Sequence, residues 1–292
     1  MKITILTLFP EMFTGPFSCS IIKRAVEKGL VELETVNLRD FTKDRHRTVD
    51  DTPYGGGPGM VLKPEPVFDA VEAITGKKGQ KPYTILTTPQ GEVFRQEIAA
   101  GLAGKEELLF ICGHYEGYDE RIRTLADREL SIGDYVLTGG ELPAMVMIDA
   151  VVRLLPGVLG APDAAINDSF SAGLLDYPQY TKPAVYKGMA VPEVLLSGHH
   201  QEIAAWRRRE ALLRTAERRP ELLAQVDLSR EERAFLAEKL PWLFPAEELQ
   251  GQGRIPCREE RKGSQGPVNL LENQKGAGGS RAHARSEREE EE

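Results

Sequence analysis

The chain has 292 residues, with 45 acidic against 37 basic side chains and a formal net charge of −8. That length holds one large domain or two ordinary ones, and the charge excludes a uniformly basic nucleic-acid protein while leaving room for a local basic patch. Cys19, Cys112 and Cys257 are scattered without metal-type spacing, which predicts a reduced, cytoplasmic protein without disulfides. Residues 1–9 alternate apolar and polar up to Pro10 and read as a first strand, too short and wrongly flanked for a signal peptide. No apolar run is long enough to cross a bilayer.

Ile3, Ile5, Leu6 and Leu8 predict a buried strand, with a turn over 9–13 at its C-terminal end. Ser20 reads as the cap of a helix that Gly29 ends. Residues 31–38 alternate as a second strand. Residues 39–51 are dense in charge of both signs and lead into Thr52-Pro-Tyr-Gly-Gly-Gly-Pro-Gly-Met60. A connection this long and irregular is either functional or simply solvated. Helices over 64–74 and 94–102 then alternate with strands over 83–86 and 108–112. This pattern predicts a mainly parallel sheet with helices on both faces. Three strand ends carry Gly/Pro-rich loops, at 87–91, 113–117 and 132–140, placed to converge on one pocket at the end where such sheets bind ligands.

The third loop belongs to Ser131-Ile-Gly-Asp-Tyr-Val-Leu-Thr-Gly-Gly-Glu-Leu-Pro-Ala144. Residues 132–137 are too apolar for an ordinary surface loop. Glycine lets backbone approach a ligand closely, so Gly133, Gly139 and Gly140 mark either a pocket for a small polar molecule or a tight strand-to-helix turn. A near-continuous apolar helix follows over 141–155. Arg153, near its end, is a surface ion-pair partner or a cation aimed into the pocket, and needs an anion in either case.

Pro156-Gly-Val-Leu-Gly-Ala-Pro162 breaks the pattern. Four segments follow: a domain over 1–155, a linker over 156–167, a small helical domain over 168–245, and a tail over 246–292 whose Gly, Ser, Arg and Glu predict disorder. In the second domain, 169–180 is turn-rich, 181–186 is extended, and helices run over 199–219, 220–224 and 229–239. The first of these carries Arg207, Arg208, Arg209, Arg214, Arg218 and Arg219 beside Trp206. Such a face suits phosphate contacts and base stacking, or it is a solvated helix side with i,i+4 pairs. Asp168 reads as an N-cap or as a general base. His46 and His114 are acid/base groups or structural ones. No Ser or Cys nucleophile motif and no His/Cys metal spacing stands out.

Taken together, Leu8-Phe-Pro-Glu-Met-Phe13, Asp44-Arg-His-Arg-Thr-Val-Asp-Asp51, Pro53-Tyr-Gly-Gly-Gly-Pro-Gly-Met60, Cys112-Gly-His-Tyr-Glu-Gly117, Ser131-Ile-Gly-Asp-Tyr-Val-Leu137, Gly139-Gly-Glu-Leu-Pro-Ala144, Pro156-Gly-Val-Leu-Gly160 and Asp168-Ser-Phe170 resemble the bacterial tRNA (guanine-N1)-methyltransferases, the TrmD family. The resemblance covers about residues 1–245. His114 stands where some members have Arg. The resemblance implies a SPOUT-class α/β fold with a deep trefoil knot, a homodimer, and methylation of the guanine just 3′ of the anticodon in tRNA. It implies S-adenosylmethionine bound by Leu86, Thr87, Pro89, Gly91, Gly113, Tyr115, Glu116, Ile132, Gly133, Asp134, Tyr135, Val136, Leu137, Gly139 and Gly140. Asp168 matches the family's base and Arg153 its charge-stabilising cation. Some members need Mg²⁺, for which the sequence shows no site. Two other readings stand beside this one: a knotted RNA methyltransferase for another nucleotide, and a non-catalytic RNA-binding module.

Overall fold

A computed structural model describes residues 1–76, 81–160, 165 and 168–242. In chain order the elements are β1 (Lys2–Thr7), α1 (Thr14–Phe17), α2 (Ser20–Glu27), β2 (Glu32–Asn37), β3 (Asp50–Asp51), β4 (Val61–Leu62), α3 (Pro64–Gly76), β5 (Tyr83–Val93), α4 (Gln96–Ala103), β6 (Glu107–Cys112), β7 (Arg128–Ser131) and α5 (Glu141–Val152). A C-terminal part adds β8 (Val185–Tyr186), β9 (Met189–Ala190), α6 (His200–Arg218), α7 (Pro220–Leu223) and α8 (Arg230–Lys239).

Five strands form one sheet in the order β2-β1-β6-β5-β7, with every pairing parallel. Because side chains alternate across a strand, each central strand feeds two cores. Leu108, Phe110 and Cys112 of β6 join Ile3, Ile5 and Ile85 beneath α2, α4 and α5. Leu109 and Ile111 point the other way, with Leu6, Leu86 and the α3 residues Val67, Ala70 and Val71. The apolar character of α5 follows from this packing: Ala144, Met147, Ile148, Val151 and Val152 are all fully buried. A third cluster gathers Leu174, Leu212, Ala216, Leu223, Leu228 and Leu236 from α6, α7, α8 and the segment before them, and shares no residue with the other two.

Several boundaries differ from expectation. Ser20 is the first residue of α2, and Cys19 takes the N-cap position without its side chain capping the helix. The predicted loop 87–91 is strand: β5 runs on to Val93, with a break in register between Thr87 and Glu92 where it pairs β7. Gly91 permits this close approach, because a Cβ there would lie 2.5 Å from the Leu130 nitrogen. The α5 helix stops at Val152, three residues early. Ser229 caps α8 through a capping box with Glu232, which places that start where the pattern put it. The predicted linker falls partly, and the predicted tail entirely, outside the described residues.

Candidate functional site

The second half of β5 and the loops that leave β6 and β7 meet the N-terminus of α5 around a cavity of about 250 Å³. Gly140 is its tightest point. A Cβ there would collide with Thr87 Oγ1 and would lie 2.8 Å from the Gly113 nitrogen and 2.9 Å from Cys112 Cα. Its φ is an ordinary −82°, so close approach and not backbone conformation demands the glycine. The Gly140 N–H donates to the Gly113 carbonyl at 2.7 Å, and His114 bridges to Gly139. Two of the three loops are thus bonded to each other through backbone.

The long connection after β2 braces this cavity from outside. Asp44 holds its first turn by accepting bonds from the Thr48 hydroxyl (2.9 Å) and from the N–H groups of Thr48 and His46. Thr48's hydroxyl above all, with those N–H groups, keeps the Asp44 carboxyl below its ordinary value. Farther on, the Glu116 N–H donates to Met60 and the Leu62 N–H to Gly117. Tyr115 sits between them with left-handed backbone at φ 63°, a strained conformation for a non-glycine residue of the kind found at functional sites. Burial pushes its phenol up, Asp50 adds to that, and Arg39 opposes it. Gly59 is needed here too, because at φ +78° any side chain would be strained and its Cβ would strike Glu116.

Of the residues that the family resemblance marked for the cofactor, Thr87, Pro89, Gly113, Tyr115, Glu116, Ile132, Gly133, Tyr135, Val136, Leu137, Gly139 and Gly140 line the cavity. Leu86, Gly91 and Asp134 are not among its lining residues. Leu86 instead lies in the core beside α3. Thr88, Gln90, His114, Tyr118, Glu120, Thr138 and Pro143 line it as well. All lie in or beside the three loops, so loop membership was the available signal. Residues 132–137 form a loop after all, with Val136 84% and Tyr135 55% exposed. Leu142 and Val146 of α5 are also half-exposed, so an apolar strip leads from this loop along the helix.

Arg153 and Asp168 come together, but away from this cavity. Arg153 Nη2 donates to Asp168 Oδ2 at 2.5 Å, which supplies the anion that Arg153 requires. No helix begins at Asp168, so it caps none. Arg153 follows the last turn of α5, whereas the cavity lies at the first. The helix has 12 residues, which places the two ends about 18 Å apart. Arg153 lines a separate and larger cavity with Pro156, Gly157 and Phe170.

The arginines of α6 and Arg219 just after it are largely engaged within the chain. Arg208 pairs with Glu232 at 2.7 Å, Arg214 donates to the Asp176 carbonyl, and Arg219 pairs with Glu221. Arg207 stacks on Tyr177 and Arg209 on Phe235. These arginines thus have partners within the chain, and the positive charge of the face remains. Among the described residues, no three His, Cys, Asp or Glu side chains converge as a metal site, so the implied Mg²⁺ finds no protein cage there. Among those residues, too, no helix is long and apolar enough to cross a membrane.

Comparison with known proteins places the chain in a family. The family model for tRNA (Guanine-1)-methyltransferase TrmD matches residues 1–225. A tRNA (guanine-N(1)-)-methyltransferase of Pelotomaculum thermopropionicum is 61% identical over 242 residues, covering 82% of this chain and 96% of that protein. Its counterpart from Moorella thermoacetica is 60% identical over 240 residues, with the same coverage of both chains. The crystal structure of a tRNA (m1G37) methyltransferase from Aquifex aeolicus superposes with a TM-score of 0.63 at 42% identity, covering 77% of this chain and 95% of that one. The binding-only reading is thereby set aside: the chain is a transferase that modifies tRNA, and it belongs to the tRNA (guanine-N1)-methyltransferase family.

Proposed function

We propose that this chain transfers a methyl group from S-adenosylmethionine to N1 of the guanine immediately 3′ of the anticodon in tRNA, at sites completed by two copies of the chain. The observation that carries the reading is the separation between the Gly-lined cavity and the Arg153–Asp168 pair at the two ends of α5. A single chain offers a cofactor pocket at one end and an acid-base pair at the other. A two-fold arrangement brings one copy's pocket to the other copy's pair. The apolar strip of Val136, Leu142 and Val146, beside both pocket and helix, is the kind of surface such a contact would cover.

The cavity suits the donor. Glycines at 133, 139 and 140 let the segments of the wall pack closely on one another, and the exposed loop 132–137 offers apolar cover for a nucleoside. S-adenosylmethionine would supply an electrophilic methyl group on a sulfonium. Guanine N1 carries a proton, so it attacks well only as that proton leaves. Asp168 would accept it. Arg153, already bonded to Asp168, would stabilise negative charge developing on guanine O6, an electrostatic role. The pocket would fix the donor in line, so proximity contributes much of the remaining rate.

In this reading, residues 1–155 form the knotted SPOUT-type domain. Residues 168–245, built on their own buried cluster, form the tRNA-binding domain. The setting is the cytoplasm, where tRNA is modified. The test is methyl incorporation into transcript tRNAs with guanine or adenine just 3′ of the anticodon. Guanine transcripts should accept one methyl group, mapped to N1 of that base, and adenine transcripts none. Equal incorporation into both would overturn the assignment.

A further inference from the structure

Beneath the junction of the two bonded loops lies a polar group of three residues that the reaction scheme does not use. Glu141, the first residue of α5, is only 2% exposed. Its Oε1 accepts a bond from Thr7 Oγ1 at 2.8 Å, and Thr7 Oγ1 in turn accepts the Phe9 N–H at 3.0 Å. Phe9 N–H occupies the hydroxyl as acceptor, so its proton is committed to Glu141. The negative charge is well placed at a helix N-terminus. It is felt nearby: burial chiefly pushes the Cys112 thiol up, and Glu141 adds to the effect.

His114 faces the same spot from the other loop. Its Nδ1 is buried and has no hydrogen-bond partner. Its ring is held between Phe9 and Tyr115, each with ring centroids at 5.0 Å. Glu141 Oε2 and His114 Nδ1 both lie within 3 Å of where a Gly139 Cβ would stand. The absent side chain of Gly139 is what lets the two groups face each other. A buried ring nitrogen left unpaired is costly, and a nearby carboxylate is the natural acceptor for a proton on it.

We propose that Thr7, Glu141 and His114 form a positioning relay, in which the His114 Nδ1–H donates to Glu141 and holds the Gly139–Gly140 turn against the Gly113–His114 turn at the spacing the methyl donor requires. The proposal rests on the reading of this cavity as the S-adenosylmethionine site. The relay fixes the imidazole's tautomer, because the bond made by one ring nitrogen determines where the proton sits. It joins the end of β1 to both walls of the pocket. A buried polar hydrogen bond contributes little net stability, since desolvation offsets attraction. Its loss should therefore appear in donor affinity more than in folding.

The experiment is calorimetric titration of the full chain with S-adenosylmethionine, alongside steady-state methylation of tRNA and denaturant unfolding. His114→Leu removes the donor, whereas His114→Asn places an amide N–H near the position of Nδ1. His114→Leu should weaken donor binding and raise the KM for the donor by about tenfold or more, with kcat and the KM for tRNA nearly unchanged. His114→Asn should recover most of that loss. If His114→Leu binds like the wild type, or His114→Asn binds no better than His114→Leu, the relay is refuted. A wild-type chain that takes up no donor would instead overturn the assignment of the cavity and the relay with it. Nitrogen NMR of the wild-type chain gives a reading independent of how any variant folds. With S-adenosylmethionine bound, His114 Nδ1 should carry a proton, and an unprotonated Nδ1 would refute the proposal.

Discussion

Gly140→Ala replaces a hydrogen by a methyl group at the most crowded point of the cavity. The new methyl would overlap Thr87 Oγ1 and would sit 2.8 Å from the Gly113 nitrogen and 2.9 Å from Cys112 Cα. Carbon atoms rest about 3.5–4.0 Å apart, so the turn must retreat by the better part of an ångström. Thr87 can rotate away, but its hydroxyl would lose its bond to the Ile111 carbonyl. The other two neighbours are backbone and belong to β6 and to the loop opposite. Overpacking of this kind costs about 1–3 kcal/mol. The strain falls where Gly140 donates to Gly113, so the spacing of the pocket walls absorbs it. If most of it appears as lost binding, the affinity for S-adenosylmethionine falls by about tenfold to a hundredfold. Calorimetric titration measures that directly. Gly101→Ala is the control: nothing lies within 4 Å of its Cβ position inside α4, so it should leave binding unchanged and raise stability by about 0.4–1 kcal/mol. Unaltered donor affinity in Gly140→Ala would refute the argument that close approach makes this glycine necessary.

Other outcomes follow from the same geometry. Cys112 is fully buried with its thiol pushed well up, whereas Cys19 is exposed. Iodoacetamide at about pH 8 should therefore alkylate Cys19 and spare Cys112 until the chain unfolds, and mass spectrometry resolves the two sites. Leu212→Ala should destabilise the third cluster by about 2–5 kcal/mol while leaving donor binding intact. Trp206 and Trp242, the two tryptophans of the chain, report that unfolding by fluorescence. Burial raises the Glu232 carboxyl, but the bond from Arg208 and the Ser229 N–H outweigh it, so its folded pKa lies below the ordinary 4.5. Its contribution is then fully present above about pH 4.5 and drains away as pH falls through the lower folded value. Compared with Glu232→Gln, the wild type should hold an advantage of at most about 1 kcal/mol near neutral pH that vanishes in acid. An advantage that grows in acid would reverse the sign of this reasoning.

The alternating strands were legible because the sheet is buried on both faces. Leu108 to Cys112 gave a continuous apolar run, and the structure divides it between two cores as alternation requires. Gly/Pro-rich stretches at three strand ends pointed to a pocket, although a tight strand-to-helix turn explained the glycines of 133–140 as well from sequence alone. Other features were hidden for physical reasons. The extension of β5 through 87–91 is tertiary: Gly91 is strand because the β7 backbone presses against it, which no local signal encodes. The fate of the α6 arginines depended on Tyr177, Glu221, Glu232 and Phe235, which come from other segments. The partnership of Arg153 with Asp168 spans 15 residues of Pro- and Gly-rich chain, and spacing alone did not pair them.

In the proposed reaction neither copy of the chain holds a complete site. Asp168→Ala should bind donor and transfer almost no methyl, and Gly140→Trp should fill the cavity and be inactive as well. Differently tagged chains, co-expressed and purified as a mixed pair, carry one substitution on each copy. If Asp168 serves the other copy's pocket, one site of the mixed pair has both defects and its partner site has neither. Methyl incorporation should then return to about half of the wild-type level for a two-fold assembly. A correctly folded mixed pair as inactive as each parent would contradict the shared site and return Asp168 to the pocket of its own chain.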